Sequence, residues 1–294
     1  MSFKVDLLNN KTGKVENKKL LFKGFSVVLS TLIGLLIVIY FLPFNDILRA
    51  LKEISFKSFI VGLSLYTLSY WFRAYRWKFF YPEAPFKYLF FTTAVNTFFN
   101  NILPARLGES SIFVFLKKYD KSLKETLKKF FKVRLLDGFS ILTFLVFALI
   151  SLKLNPLVGF LIALPIYPLG IWILNAIFKV INKDIYLNLE PVPFLLSIGN
   201  VAAKLFAVYT VLEFINIGFL QFSVGFIGGE LSSILPFHSF AGLGSYETAF
   251  AASLKLFLNE NFSEGFKVAF LSHAFLLFSS ILLGLISLLL FLKR

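Results

Sequence analysis

Cysteine is absent from the 294 residues, which excludes a disulfide framework and any thiolate metal site. Only two histidines remain as imidazole ligands, His238 and His273, and neither stands in an HExxH-like spacing, so no metal and no cofactor is assigned. A lone histidine in apolar sequence is more often a donor between packed helices. Acidic residues are scarce too, 16 against 30 Lys and Arg, for a formal net charge of +14. That sign would suit nucleic acid. Here the basic residues gather between apolar runs, where they fix orientation and touch anionic lipid, so no nucleic-acid partner is expected.

What the chain has in excess is apolar surface. With 57% hydrophobic residues, 40 phenylalanines and a mean hydropathy of +0.79, it exceeds what one water-facing globule hides. Uncharged runs at residues 24–45, 154–178 and 268–292 each reach the roughly 20 residues that span hydrocarbon. The expectation is an all-α polytopic membrane protein of the cytoplasmic (inner) membrane. The first run follows Lys18, Lys19 and Lys23 as in a signal peptide, but it is too long and lacks a small-residue cleavage site. A retained helix is expected there.

Residues 1–19 read as a basic cytoplasmic tail and 20–294 as a single transmembrane domain. Spans near 22–42, 58–77, 135–152, 155–178, 193–215 and 266–292 give about six crossings with both termini cytoplasmic, by the clustering of Lys and Arg on one side. Pro165 and Pro168 are expected to kink the fourth. The run Lys117, Lys118, Lys121, Lys124, Lys128, Lys129, Lys132 reads as a surface-lying basic helix, with Leu123, Leu127, Phe130 and Phe131 dipping into lipid.

Two segments interrupt this pattern in the same way. Ile102-Leu103-Pro104 is followed by Leu107-Gly108-Glu109, and Ile234-Leu235-Pro236 by Gly242-Leu243-Gly244-Ser245-Tyr246-Glu247. Pro and Gly unwind a helix, and the freed backbone groups persist at membrane depth only where protein or a wet cavity satisfies them. The flanking arms of the first break, 88–103 and 107–116, reach about 24 and 15 Å, too short for two crossings. Two re-entrant hairpins are therefore expected, 88–116 and 222–258, inserted from opposite faces as in an inverted-repeat transporter. The competing explanation is chance recurrence in a Leu-rich chain.

Ionisable groups within apolar sequence cost at least about 2.5 to 3.5 kcal/mol each on insertion scales, so they are paired or face a cavity. Arg106 stands at the first break, where a guanidinium and freed amides can meet an anion, and Glu109 is placed to hold it. Arg134 and Asp137, three apart, either pair with each other or serve a site. Lys204 has no partner in its own helix, so Glu230 or Glu247 is expected to reach it. Gly242 and Gly244 allow close backbone approach, with Ser245 as N-cap and Glu247 in the first turn. A rhomboid-like GxSG nucleophile does not match, and no catalytic residue is assigned.

The NxxLPxRLGE of Asn100 to Glu109, the R-x-x-D of Arg134 to Asp137 and the P…GLGxxE of Pro236 to Glu247 resemble the transmembrane region of lysylphosphatidylglycerol synthases and its stand-alone relatives. The resemblance covers nearly the whole chain. It implies a polytopic inner-membrane protein that moves an aminoacylated phospholipid, or a polyprenyl-phosphate-linked sugar, across the bilayer. Two departures stand out: Val133 occupies a place often held by Glu, and Ser110-Ser111 follow where an Arg is usual. Only Lys293-Arg294 follow the last span, so lysyl-lipid synthesis is not expected of this chain.

The expected function is a lipid flippase or transporter, not an enzyme, with Arg106, Arg134 and Lys204 engaging phosphate. Glu109, Asp137, Glu230 and Glu247 would orient them or meet a cationic headgroup. Its partners would be membrane lipid and a separate lipid-modifying enzyme. The alternatives are an intramembrane enzyme with Glu247 and His238 as acid and base, and a small-solute or proton-coupled transporter.

Overall fold

Local chemistry sets where the helices begin. Ser55, Ser122 and Asn155 each accept, through the side-chain oxygen, from the backbone N–H three residues on, satisfying one orphan donor of a helix start. Pro156 and Pro191 occupy first-turn positions, where a missing N–H costs nothing. The structure, a computed structural model, describes residues 52–103, 108–181, 186–188, 190–233 and 240–292, with isolated positions 32, 36, 40 and 49. Among the described residues the elements are all helical: α1 Phe56–Phe80, α2 Phe86–Ile102, α3 Ser110–Leu116, α4 Leu123–Lys153, α5 Pro156–Ala163, α6 Ile166–Val180, α7 Pro191–Val211, α8 Phe219–Ser232, α9 Ser245–Leu258 and α10 Phe262–Leu292.

Four of these stretches are long and apolar enough to cross a membrane: Leu123–Lys153, Pro156–Val180, Pro191–Val211 and Phe262–Leu290. The chain is an all-α polytopic membrane protein. The first expected span, 22–42, lies outside the described residues apart from positions 32, 36 and 40. α1, with 25 residues, is about 37 Å long, but Arg73, Arg76 and Lys78 fall in its last third. Pro165 separates α5 from α6, and Pro168 is tolerated within the first turn of α6.

The lysine run departs from expectation. It forms no helix of its own, because nothing between Lys132 and Leu135 breaks one; from Leu123 onward it supplies the opening turns of α4. That helix has 31 residues and is about 46 Å long, more than hydrocarbon requires. Leu123, Leu127 and Phe131 are exposed, while Phe130 packs inward on Phe113 with ring centroids 5.1 Å apart.

The ends of the elements fix their directions. Ser58, at the start of α1, donates to Glu213, just past the end of α7, so these two long packed helices run antiparallel. The chain leaves α1 at Tyr81 and is back beside it at Asp120, where Tyr81 Oη donates to Asp120 Oδ2 at 2.7 Å. Lys129 closes the junction, 2.6 Å from Asp120 Oδ1 and 4.0 Å from the Tyr81 ring centroid. Thus α2, the first break and α3 form an excursion that starts and finishes at the C-terminal end of α1. Likewise Gln221 in the first turn of α8 donates to Glu260, beyond α9, at 3.3 Å, so α8 and α9 form a second excursion off the C-terminal end of α7. With α1 and α7 antiparallel, the two excursions enter the bundle from opposite ends. Each sends its first arm against the helix that follows the other: α2 packs on α10 and α8 on α4. Aromatics fill the contact region, with Tyr66, Tyr70, Phe222, Phe226, Phe250 and Phe275 buried together. In lipid, which is as apolar as these rings, such contacts hold by packing rather than by release of water.

Candidate functional site

Helical spacing brings the polar residues onto inward faces. On α7, Ser197, Asn200 and Lys204 are three and four apart; on α4, Arg134, Asp137 and Ile141 repeat the interval; on α1, Arg73 and Arg76 do the same. These faces, with Thr97 and Asn100 of α2, Glu230 of α8 and His273 of α10, surround a cavity, which Arg76 and Ser197 back from behind its wall. It holds about 1110 Å³ of space not filled by protein atoms, part of it open to the outside.

The cavity wall is a set of ion pairs. Arg76, only 2% exposed, donates through Nη1 to Asp137 Oδ1 at 2.5 Å and to Ser197 Oγ at 2.6 Å, and through Nη2 to Asp137 Oδ2 at 3.3 Å. This is the two-pronged match of guanidinium to carboxylate. Arg134 donates to Glu109, and its Nη1 stands 3.9 Å from Asp137 Oδ2. Lys204 donates to Glu230. Removing one partner from a buried pair leaves the other uncompensated, which is why these charges are held in couples at this depth. Around them, Asn100 Oδ1, Asn200 Oδ1 and Tyr246 Oη are buried with no hydrogen-bond partner among the described residues. Arg73 stands apart: it donates to Thr97 Oγ1 at 2.8 Å and lies 5.5 Å from the Tyr70 ring centroid.

The second break closes beside this cavity. Gly242 and Gly244 take φ of 75° and 81°, a left-handed conformation that costs glycine little. The N-cap of α9 is Gly244, not Ser245; Ser245 is the first helical residue, and its hydroxyl donates back to Gly242 O at 2.9 Å. Glu247, fully buried, accepts from the Gly244 N–H at 2.7 Å and faces His273 Nδ1 at 2.7 Å. The His273 ring stacks on Tyr246, centroids 4.6 Å apart.

Of the residues singled out from sequence, Arg134, Asp137, Lys204 and Glu230 line the cavity, and Glu109 touches it through Arg134. Lys204 takes Glu230, one of its two expected partners. The principal partner of Asp137 is Arg76 and not Arg134, because the α1 guanidinium reaches both carboxylate oxygens. Glu109 is held by Arg134; Arg106 and His238 lie outside the described residues. Glu247 sits behind His273 instead of reaching Lys204. Sequence reading does not place Arg73, Arg76 or Asn200 in a site, and it weighs His273 only as a metal ligand or a donor between packed helices. Arginines at the end of a span have a topological explanation as an inside flank, although a spacing of three already puts Arg73 and Arg76 on one face. Among the described residues no group of three or more His, Cys, Asp or Glu gathers as a metal site.

A family model described as the lysylphosphatidylglycerol synthase TM region matches residues 26–284. The chain belongs to this family. No curated protein matches it. The stretches that carried the resemblance have distinct places in the fold: NxxLPxRLGE begins in the last turn of α2 and ends just before α3, with residues 104–107 outside the described residues, R-x-x-D faces the cavity from α4, and GLGxxE makes the turn into α9.

Proposed function

We propose that the protein moves a lipid across the cytoplasmic membrane, passing a phosphate-bearing headgroup through the charged cavity while the acyl tails stay in surrounding lipid. The observation that carries this reading is the convergence of Arg73, Arg134, Asp137, Lys204 and Glu230, from four helices, on one cavity inside an apolar bundle. A charged headgroup crossing hydrocarbon unaided faces an idealised Born cost of order 20 kcal/mol. A polar passage removes most of it.

In this reading the two excursions are re-entrant hairpins of an inverted repeat, with the first opening to the cytoplasm, the second outward, and both termini inside. Their entry from opposite ends supports it, as does an equivalence between the halves. Glu109 after the first break pairs with Arg134 on the helix that follows, and Glu247 after the second pairs with His273 on the helix that follows. Arg134 and Lys204 give the passage positive charge suited to phosphate, a role expected also of Arg106, which lies outside the described residues; Glu109, Asp137 and Glu230 hold those cations or meet a cationic headgroup. Gly242, Gly244, Ser245 and Glu247 shape the second break. The protein acts as a carrier and not an enzyme: Glu247 is fully buried and tied to the Gly244 N–H, an arrangement suited to bracing α9. A separate enzyme would supply the modified lipid.

Mass spectrometry of lipid retained by the purified protein tests this. A phosphate-bearing lipid enriched over an unrelated membrane protein from the same membranes is expected. Retention no different from that control would count against the reading.

A further inference from the structure

The cations of the cavity are not equivalent. Of the cations that line it, Arg134 is bound by Glu109 and Lys204 by Glu230, while Arg76, just behind the wall, takes Asp137. Glu247 is committed to His273 and the Gly244 N–H. Arg73 is the third lining cation, and among the described residues no carboxylate lies within 4.0 Å of it. A threonine hydroxyl orients its guanidinium and an aromatic ring lies beside it, but neither cancels the charge. It lies seven residues before the end of α1, about 10 Å in from the end where the first excursion begins.

The geometry points to Arg73 as the seat for the anion, a phosphate ester on the headgroup. The inference rests on the lipid-transport reading, but it reassigns the contact. Arg134 and Lys204 would have to leave carboxylates to bind phosphate, whereas Arg73 offers its donors with no ion pair to break. A guanidinium presents parallel N–H groups that match phosphate oxygens, and a lysine in its place keeps charge without the fork. The paired cations then supply a background field around the seat, and the cavity accepts one negative charge without leaving any carboxylate exposed.

The test titrates the full-length protein in detergent with dioctanoyl-phosphatidylglycerol and, separately, with glycerol 3-phosphate. Arg73→Gln is expected to weaken phosphatidylglycerol binding by at least about tenfold, the scale of one charge-assisted contact. It should not lower the melting temperature, because no carboxylate loses its partner. Arg73→Lys should fall between wild type and Arg73→Gln. If Arg73→Gln binds the lipid as wild type does, or if both variants melt lower and still bind normally per folded molecule, the seat is not Arg73. A wild-type protein that holds neither probe also overturns the proposal. Arg73-dependent binding of glycerol 3-phosphate without the lipid would keep the seat and sink the lipid reading instead.

Discussion

Lys204 and Glu230 illustrate how a single charge is tolerated at this depth: side-chain exposures of 17% and 12% put the pair at the cavity edge, neither in lipid nor in bulk water. Breaking a fully buried pair costs about 3 to 5 kcal/mol. With some solvent at the cavity edge the cost is smaller, about 1 to 3 kcal/mol, because the orphaned charge is partly screened. Lys204→Met should therefore lower the melting temperature in detergent, and Lys204→Met/Glu230→Leu should regain most of the loss. A double variant no better than the single one would mean that Lys204 is not held by Glu230. Residue type and depth made Lys204 visible from sequence, since an ammonium inside an apolar helix calls for a partner. They did not single out Arg73 or Arg76, whose position near a helix end gave them a second, topological explanation. The His273 tie to Glu247 is legible only once α9 and α10 are side by side, as no local pattern joins residues 26 apart.

At the scale of elements, the breaks depend on backbone approach. A methyl group on Gly108 would sit 2.2 Å from Asn100 N and 2.3 Å from Phe99 C, both backbone atoms of α2. Gly108 O also accepts from Asn96 Nδ2 at 2.9 Å. Gly108→Ala should destabilise at the upper end of the about 1 to 3 kcal/mol typical of overpacking, since backbone cannot move aside. Gly138→Ala, where a methyl group meets nothing within 4 Å among the described residues, should be neutral or mildly stabilising in the same melting assay. Equal losses would show that close approach is not what Gly108 provides. The junction at Asp120 makes a different demand. Burial disfavours its charge, but hydrogen bonds from Lys129, Tyr81 and Thr126 outweigh this and hold the carboxyl below its ordinary range. A carboxyl more acidic in the folded state stabilises fully above its unfolded pKa of about 3.9, and that contribution is lost as pH falls through the lowered folded value. The melting difference between wild type and Asp120→Asn should stay constant from about pH 8 to about pH 5 and shrink below about pH 4. A change between about pH 8 and about pH 6 would point to another group.

For the whole molecule, composition and apolar run length made the polytopic helical class readable, and three ordered motifs made the family readable. Packing partners were not, because lipid and protein are equally apolar and an uncharged helix face says little about which it meets. The lysine run shows the limit: charge placed it near a membrane surface, but only the continuous helical register joins it to α4. If the excursions are hairpins from opposite faces, single cysteines at Glu83 and Lys121 should label from the cytoplasmic side and one at Glu264 from outside. Labelling of Glu83 and Lys121 from different sides would break the repeat. The most direct test of lipid passage is translocation itself, with the purified protein in liposomes carrying fluorescent phosphatidylglycerol and a membrane-impermeant quencher outside, with and without a pH gradient. Quenching of inner-leaflet lipid faster than in empty liposomes, and slowed in Arg73→Gln, is predicted; loss no faster than in empty liposomes under either condition would contradict transport.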